Sequence, residues 1–287
     1  MIKKIILILM IFLSFNSITA KECTIVCPTE SIAIIEDEKL INKITGLNFL
    51  SKKIAEVIIE KELKEELTSK FNASLELFSI KRLKKGEFKS LTLTCKQLAY
   101  KALRMSNFYA QTVCPYNKIV YSNNKIFFPH DLAFKFKSTI TNSDIEGIIK
   151  SYQFQRELKK CTFTFNGVKG FEIKTPVVKI KNGKMFFSIP VETFIFSEPF
   201  YINLSTDIEV KNNNIVLKNI TFLSKNNIIK NDIFAPLINK INPLYYQINS
   251  IDTKYCKIYI TNVKIEDNII STEGIFIINQ NYGKPNE

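Results

Sequence analysis

The segment VVKIKNGKMFFSIPVE, residues 177–192, limits the possible folds more than any other stretch, because its pattern recurs along the chain. YNKIVYSNNKIFFPHDLAFKFK, STDIEVKNNNIVLKNITFL and TNVKIEDNIISTEGIFI each run apolar and β-branched residues into an Asn-rich or Asp-Asn turn and out again. The alternation is strict in FKFKSTI and VVKIK. There Phe134 and Phe136, or Val178 and Ile180, share one face of a strand whose other face carries lysines. Two-residue turns such as Asn182-Gly183 and Asn123-Asn124 join such strands antiparallel. Consecutive hairpins build a meander, and ASLELFSIKRLKKGEFKSLTLTCKQLAY adds another that turns around Lys84-Lys85-Gly86.

A partner for this sheet is predicted over residues 47–72, LNFLSKKIAEVIIEKELKEELTSKFN. Leu50, Ile54 and Ile58 recur every four residues, followed by Ile59, Leu63, Leu67 and Phe71, which gives a broad apolar stripe on a helix. At ~1.5 Å per residue the helix would be about 39 Å long. Two shorter helices are predicted. One is NSDIEGIIKSYQFQRELKK, capped by Asn142 or Ser143, with Ile145, Ile148, Ile149 and Tyr152 facing inward. The other is NDIFAPLINKINPL, bracketed and bent by Pro236 and Pro243. The predicted fold class is α+β: a long amphipathic helix clasped by a strongly curved antiparallel β-sheet, with one or two short extra helices.

The first twenty residues, MIKKIILILMIFLSFNSITA, place Lys3 and Lys4 before an apolar run and small residues after it, the pattern of a cleaved signal peptide. An uncleaved anchor fits less well, since the run falls short of the ~20 residues that span a bilayer. The reading is thus a signal peptide over 1–20, an N-terminal extension over 21–46, a single domain over 47–280 and a polar tail over 281–287. Residence is expected in the cell envelope, periplasmic or secreted. Six cysteines in an exported chain predict disulfides. Of the possible pairings, Cys95 with Cys114 is preferred. A zinc site is not expected, because Cys23 and Cys27 have no second close pair and the sole histidine, His130, is distant.

The net charge of +13 directs an exported protein toward anionic surfaces such as phospholipid headgroups or acidic glycans, and away from nucleic acid. The densest cluster is KRLKK, residues 81–85; the competing reading of the charge is a solvated basic surface. The motifs of hydrolases, zinc proteases and nucleotide-binding loops are absent from the sequence. His130 in FFPHDLAF reads as a surface or loop residue, and Asp144 with Glu146 as charges favouring a helix start. The chain is read as non-catalytic, with no cofactor.

Taken in order, the long helix, SLELFSIKRLKKGEFKSLTLTCKQLAY, LAFKFKSTITNSDIEGIIKS and the closing INKINPLYYQINSIDTKYCKIYITNVKIEDNIISTEGIFI resemble the bacterial LmeA-like phospholipid-binding family. The resemblance spans residues 47–278. It implies a fold akin to tubular lipid-binding proteins, an envelope location, and phospholipid held without catalysis in an apolar groove. The six cysteines and the segment 21–46 depart from that pattern.

Several strands are apolar on both faces, among them KMFFSI, TFIFSEPF and GIFII. Their second face packs either on further protein or on lipid, whose chains contribute ~0.8 kcal/mol per buried methylene. On the lipid reading Ile54, Ile58, Phe134, Phe136, Phe187 and Phe194 line the groove, and Lys81, Arg82, Lys84 and Lys85 meet the headgroup at a peripheral membrane surface. The alternative is a structural or adhesive envelope protein whose apolar faces bind a protein partner. An outer-membrane barrel fits poorly with the charged helix and few strands of ~9–11 alternating residues.

Overall fold

The computed structural model describes residues 25, 27–28, 46–67, 69–122, 125–165, 168–193, 198–223, 238, 241–249 and 256–280, and these carry the fold. Helix α1 (Gly46–Leu67) leads into β1 (Phe71–Glu76), the single-turn helix α2 (Ile80–Leu83), β2 (Glu87–Phe88), β3 (Ser90–Tyr100) and β4 (Leu103–Thr112). Short strands β5 (Asn117–Lys118), β6 (Val120–Ser122) and β7 (Lys125–Phe127) precede β8 (Leu132–Ile140), α3 (Asn142–Ile149) and α4 (Tyr152–Leu158). Then come β9 (Thr162–Phe165), β10 (Val168–Ile173), β11 (Val177–Lys181), β12 (Lys184–Thr193), β13 (Phe200–Lys211) and β14 (Asn214–Phe222). Helix α5 (Pro243–Asn249) and the hairpin of β15 (Cys256–Glu266) with β16 (Ile269–Ile278) close the order.

The fold is α+β and mostly strand, with a curled antiparallel half-barrel sheet. One six-stranded sheet runs β1-β3-β4-β8-β16-β15; the second runs β14-β13-β12-β10-β9, with β11 also paired to β12. Alternation sets the register as read. Phe134 and Phe136 are buried while Lys135 and Lys137 are exposed, and Phe134 stacks on its cross-strand partner Phe276 at 4.7 Å. The Asn turns form as predicted at Asn182-Gly183, with φ of 51° and 72°, and at Asn212-Asn213, with φ of 50° and 62°. Such left-handed pairs match the twist of the strands they join. The core is filled from both sheets, by Phe134, Met185, Phe187 and Leu204, and from α3 and α4 by Ile145, Ile148 and Phe154.

Several expectations are corrected. The long helix stops at Leu67, and Phe71 and Asn72 open β1 opposite Cys95 and Thr94. There the two-residue period of Phe71, Ala73 and Leu75 overrides the helical one, since all three are buried on one strand face. The helix is not clasped by the sheet with its predicted stripe inward. Leu50, Ile54 and Ile58 face outward, and α1 lies along the edge strand β1 through Ala55, Ile59, Leu63 and Leu67. A second predicted helix is two helices, α3 and α4, because Ser151 takes an extended conformation and its hydroxyl accepts from Phe154 N. Thr141, not Asn142 or Ser143, caps α3, and Tyr152 is exposed. Pro243 begins α5, where the absent N–H costs nothing, and Asn242 Oδ1 accepts from Leu244 N at 3.1 Å as its cap, while the helix predicted before it lies mostly outside the described residues.

Cys114 pairs with Cys27, not with Cys95. Thr92 of β3 faces Gln111 of β4, so Cys114 lies beyond the start of β3 while Cys95 sits in mid-strand opposite Phe108, buried and unbridged. Burial pushes the Cys95 thiol up, which keeps it protonated and unreactive. Predicted segments 1–20, most of 21–46, the Asn123-Asn124 turn, most of 231–244 and 281–287 lie outside the described residues, as does Phe194.

Candidate functional site

Helix α1 carries two opposed faces, and the edge of the first sheet explains the inner one. Among the described residues β1 bonds to a strand on one side only, which leaves its outward N–H groups without ladder partners there. Glu56 Oε1 accepts from Leu75 N at 2.9 Å and Glu60 Oε1 accepts from Ala73 N at 2.8 Å. Glu56 is buried, and Lys52 and Lys53 approach its carboxylate at 3.7 and 3.4 Å. The carboxylates thus act as a surrogate strand. With Glu56, Ile59, Glu60 and Leu63 turned to the sheet, the opposite face presents Leu50, Ile54, Val57 and Ile58, each between 48% and 58% exposed. Their spacing of four, three and one residues makes one continuous apolar stripe.

The basic turn lies at the same end of the helix. Glu60 meets Ala73 and Glu56 meets Leu75, so the chain beyond Leu75 runs toward the first turns of α1, and α2 packs against that helix. Lys81, Lys84 and Lys85 are exposed there and pair with no carboxylate among the described residues. Arg82 is different: its guanidinium bonds Glu87 at 3.2 Å and lies 5.6 Å from the centre of the buried Phe78 ring. Three of the four predicted headgroup cations are therefore at the surface, on and just after a helix that packs against α1, and the fourth is turned inward.

The groove residues separate into two groups. Ile54 and Ile58 belong to the outward stripe, whereas Phe134, Phe136 and Phe187 are packed in the core at 1%, 5% and 2% exposure. None of these five borders either of two clefts on the described surface. Sequence reasoning passed over Val57, whose place in the stripe its spacing from Leu50, Ile54 and Ile58 could have shown.

The larger cleft, about 740 Å³, opens between α4, the Lys211–Asn214 turn and α5. Among the described residues of its lining, Arg156, Lys160 and Lys211 face one carboxylate, Glu157. Glu157 accepts from Lys160 at 2.7 Å and pairs with Arg156 at 3.3 Å, and the Lys160 hydrogen bond holds its carboxyl below the usual range. Tyr246 packs edge-on against the buried Phe154 at 5.3 Å and against Tyr245 at 5.7 Å. Burial, reinforced by Cys161, Glu157 and Tyr245, pushes its phenol up to about 12, so the hydroxyl stays protonated. A smaller cleft of about 420 Å³ lies over the first sheet, bordered by Tyr109, Lys137 and Glu273.

Asp144 is structural: its Oδ2 accepts from Thr141 N at 2.8 Å and from Ser106 Oγ at 2.5 Å. His130 is exposed at a bend before β8. Among the described residues no cluster of three or more His, Cys, Asp or Glu is placed to hold a metal. Compared with known families, curated proteins and solved structures, the chain matches none.

Proposed function

We propose that this is an exported, non-catalytic protein of the cell envelope that binds phospholipid at a membrane surface through α1. The observation that carries the reading is the outward stripe of Leu50, Ile54, Val57 and Ile58 on α1, together with exposed Lys81, Lys84 and Lys85 on and after the helix packed against it, which pair with no carboxylate among the described residues. Apolar side chains left half exposed on one helix face gain on the order of 1 kcal/mol each when an interface covers them. Lysines near an anionic leaflet add ~1 kcal/mol apiece. A net charge of +13 favours the same surface at longer range. The Cys27–Cys114 disulfide agrees with an oxidising compartment, and the resemblance to the LmeA-like family points to the same ligand class. Lipid thus meets the fold at the helix stripe and basic turn; the core phenylalanines pack the protein.

Flotation with phosphatidylglycerol vesicles tests this. The wild type is expected to float with anionic vesicles and much less with phosphatidylcholine alone. Ile54→Asp with Ile58→Asp should abolish flotation, and Lys81→Glu with Lys84→Glu and Lys85→Glu should weaken it at least tenfold, at unchanged thermal stability. Equal flotation of the aspartate variant would refute the reading. A wild type that ignores vesicles but loses a crosslinked envelope protein on the same substitutions would assign the stripe to a protein partner.

A further inference from the structure

The larger cleft has no part in the lipid reading, since its described lining comes from α4, the β13–β14 turn, α5 and the residues flanking them, away from α1. Its volume of about 740 Å³ lies within the range of small-ligand sites. Among its described lining residues, cations, amides and tyrosines stand beside the aliphatic Ile215 and Val216, a mixed surface that offers both charge and apolar contact. We propose that this cleft binds an acidic saccharide, a sugar chain bearing carboxylate groups.

Three features of the cleft match three features of such a ligand. Arg156, Lys160 and Lys211 outnumber Glu157, and Lys211 has no ion-pair partner among the described residues, so a ligand carboxylate finds an unmet positive charge. Asn212 and Asn214 flank that lysine on the turn, and side-chain amides both donate to and accept from sugar hydroxyls. Tyr245 is 43% exposed while Tyr246 beside it is anchored on Phe154, which gives a fixed ring for the apolar face of a sugar. The positions are rigid for local reasons. Asn213 accepts from Ile260 N at 2.7 Å and donates to Ile258 O, tying the turn to β15, and the buried Asn242 donates to Ile215 O at 2.8 Å.

Isothermal titration calorimetry on the full mature chain at low salt decides the matter, with a uronic-acid tetrasaccharide, an uncharged tetrasaccharide of the same length and inorganic phosphate as titrants. The uronic-acid sugar is expected to bind, at least tenfold more tightly than the uncharged one, with phosphate a poor competitor. Lys211→Glu should weaken binding at least tenfold and Tyr245→Ala severalfold, while both variants still float with anionic vesicles. No heat with the charged sugar, or unchanged binding by Lys211→Glu, would overturn the proposal. Full competition by phosphate would also overturn it, because the cleft would then recognise an anion without its sugar. Loss of flotation in the α1 variants with saccharide binding intact would separate this site from the lipid surface.

Discussion

Gly274 in β16 has no space for a side chain: a Cβ there would lie 2.2 Å from the Tyr259 carbonyl oxygen and 2.8 Å from the Phe136 ring, which covers the glycine from the neighbouring strand. Backbone cannot yield as a side chain can, so Gly274→Ala should destabilise by about 1–3 kcal/mol, the usual cost of overpacking, read from the urea midpoint. A midpoint unchanged from wild type would mean that the β15 backbone at Tyr259, as well as the Phe136 ring, gives way without cost. Asp207 shows how a side chain sets pH dependence. The Asn219 amide donates to it at 2.9 Å and Lys184 approaches at 3.2 Å, and these hold its carboxyl below the usual range despite some desolvation. A carboxyl depressed in the folded state adds stability that is complete above its unfolded pKa and is lost as pH falls through its folded value. The wild type should therefore weaken as pH falls through and below the ordinary carboxylate range, and Asp207→Asn should show a shallower acid limb. Some slope remains in the variant because lysine partners also hold Glu146, Glu157 and Glu273 low. Superimposable acid limbs would show that Asp207 contributes nothing.

At the scale of elements, exposed strand edges explain both what the sequence revealed and what it concealed. Asn-Gly and Asn-Asn turns announce hairpins because few other residues adopt left-handed backbone, and those hairpins form. A helix over residues 46–67 forms, but the single amphipathic stripe read from its period does not: Ile59, Leu63 and Leu67 pack on the core while Leu50, Ile54 and Ile58 face out. Hydropathy assigns Glu56 and Glu60 to solvent, whereas the free edge of β1 draws both carboxylates inward and turns Ile54 and Ile58 out. The same device recurs: Asn142 accepts from Ile180 N at 2.6 Å on β11, and Asn213 accepts from Ile260 N on β15. No local pattern marks an Asn or Glu as an edge cap, since its partner lies far along the chain. Glu56→Ala should leave the Leu75 amide unpaired and cost about 1–3 kcal/mol, with Glu56→Gln milder because its amide oxygen still accepts. Hydrogen exchange at Leu75 is the specific readout. Unaltered protection there in the alanine variant would show that the edge does not need the carboxylate.

For the whole molecule, sequence order gave the hairpins but not how they assemble. β8 pairs on one side with β4 and on the other with β16, whose Phe276 meets Phe134 across a long stretch of chain. Alternation tells which residues share a face but not which strands are neighbours, and the clefts arise only from that assembly. The cysteines present the same difficulty: Cys95 was preferred for Cys114, yet register places Cys95 in the core, and Cys27 pairs with Cys114 across a sequence separation of 87. A link closing a loop of that size removes unfolded-state entropy worth about 4–5 kcal/mol in the chain-entropy account, and measured gains are typically ~2–4 kcal/mol. Urea unfolding of four proteins isolates the pairing. Cys27→Ser and Cys114→Ser should fall by the same amount, and wild type with reductant should fall at least as far. Cys95→Ser should keep its response to reductant, whatever the cost of a hydroxyl in the core. If Cys95→Ser and Cys114→Ser instead matched and Cys27→Ser were silent, the bond would join β3 to the end of β4.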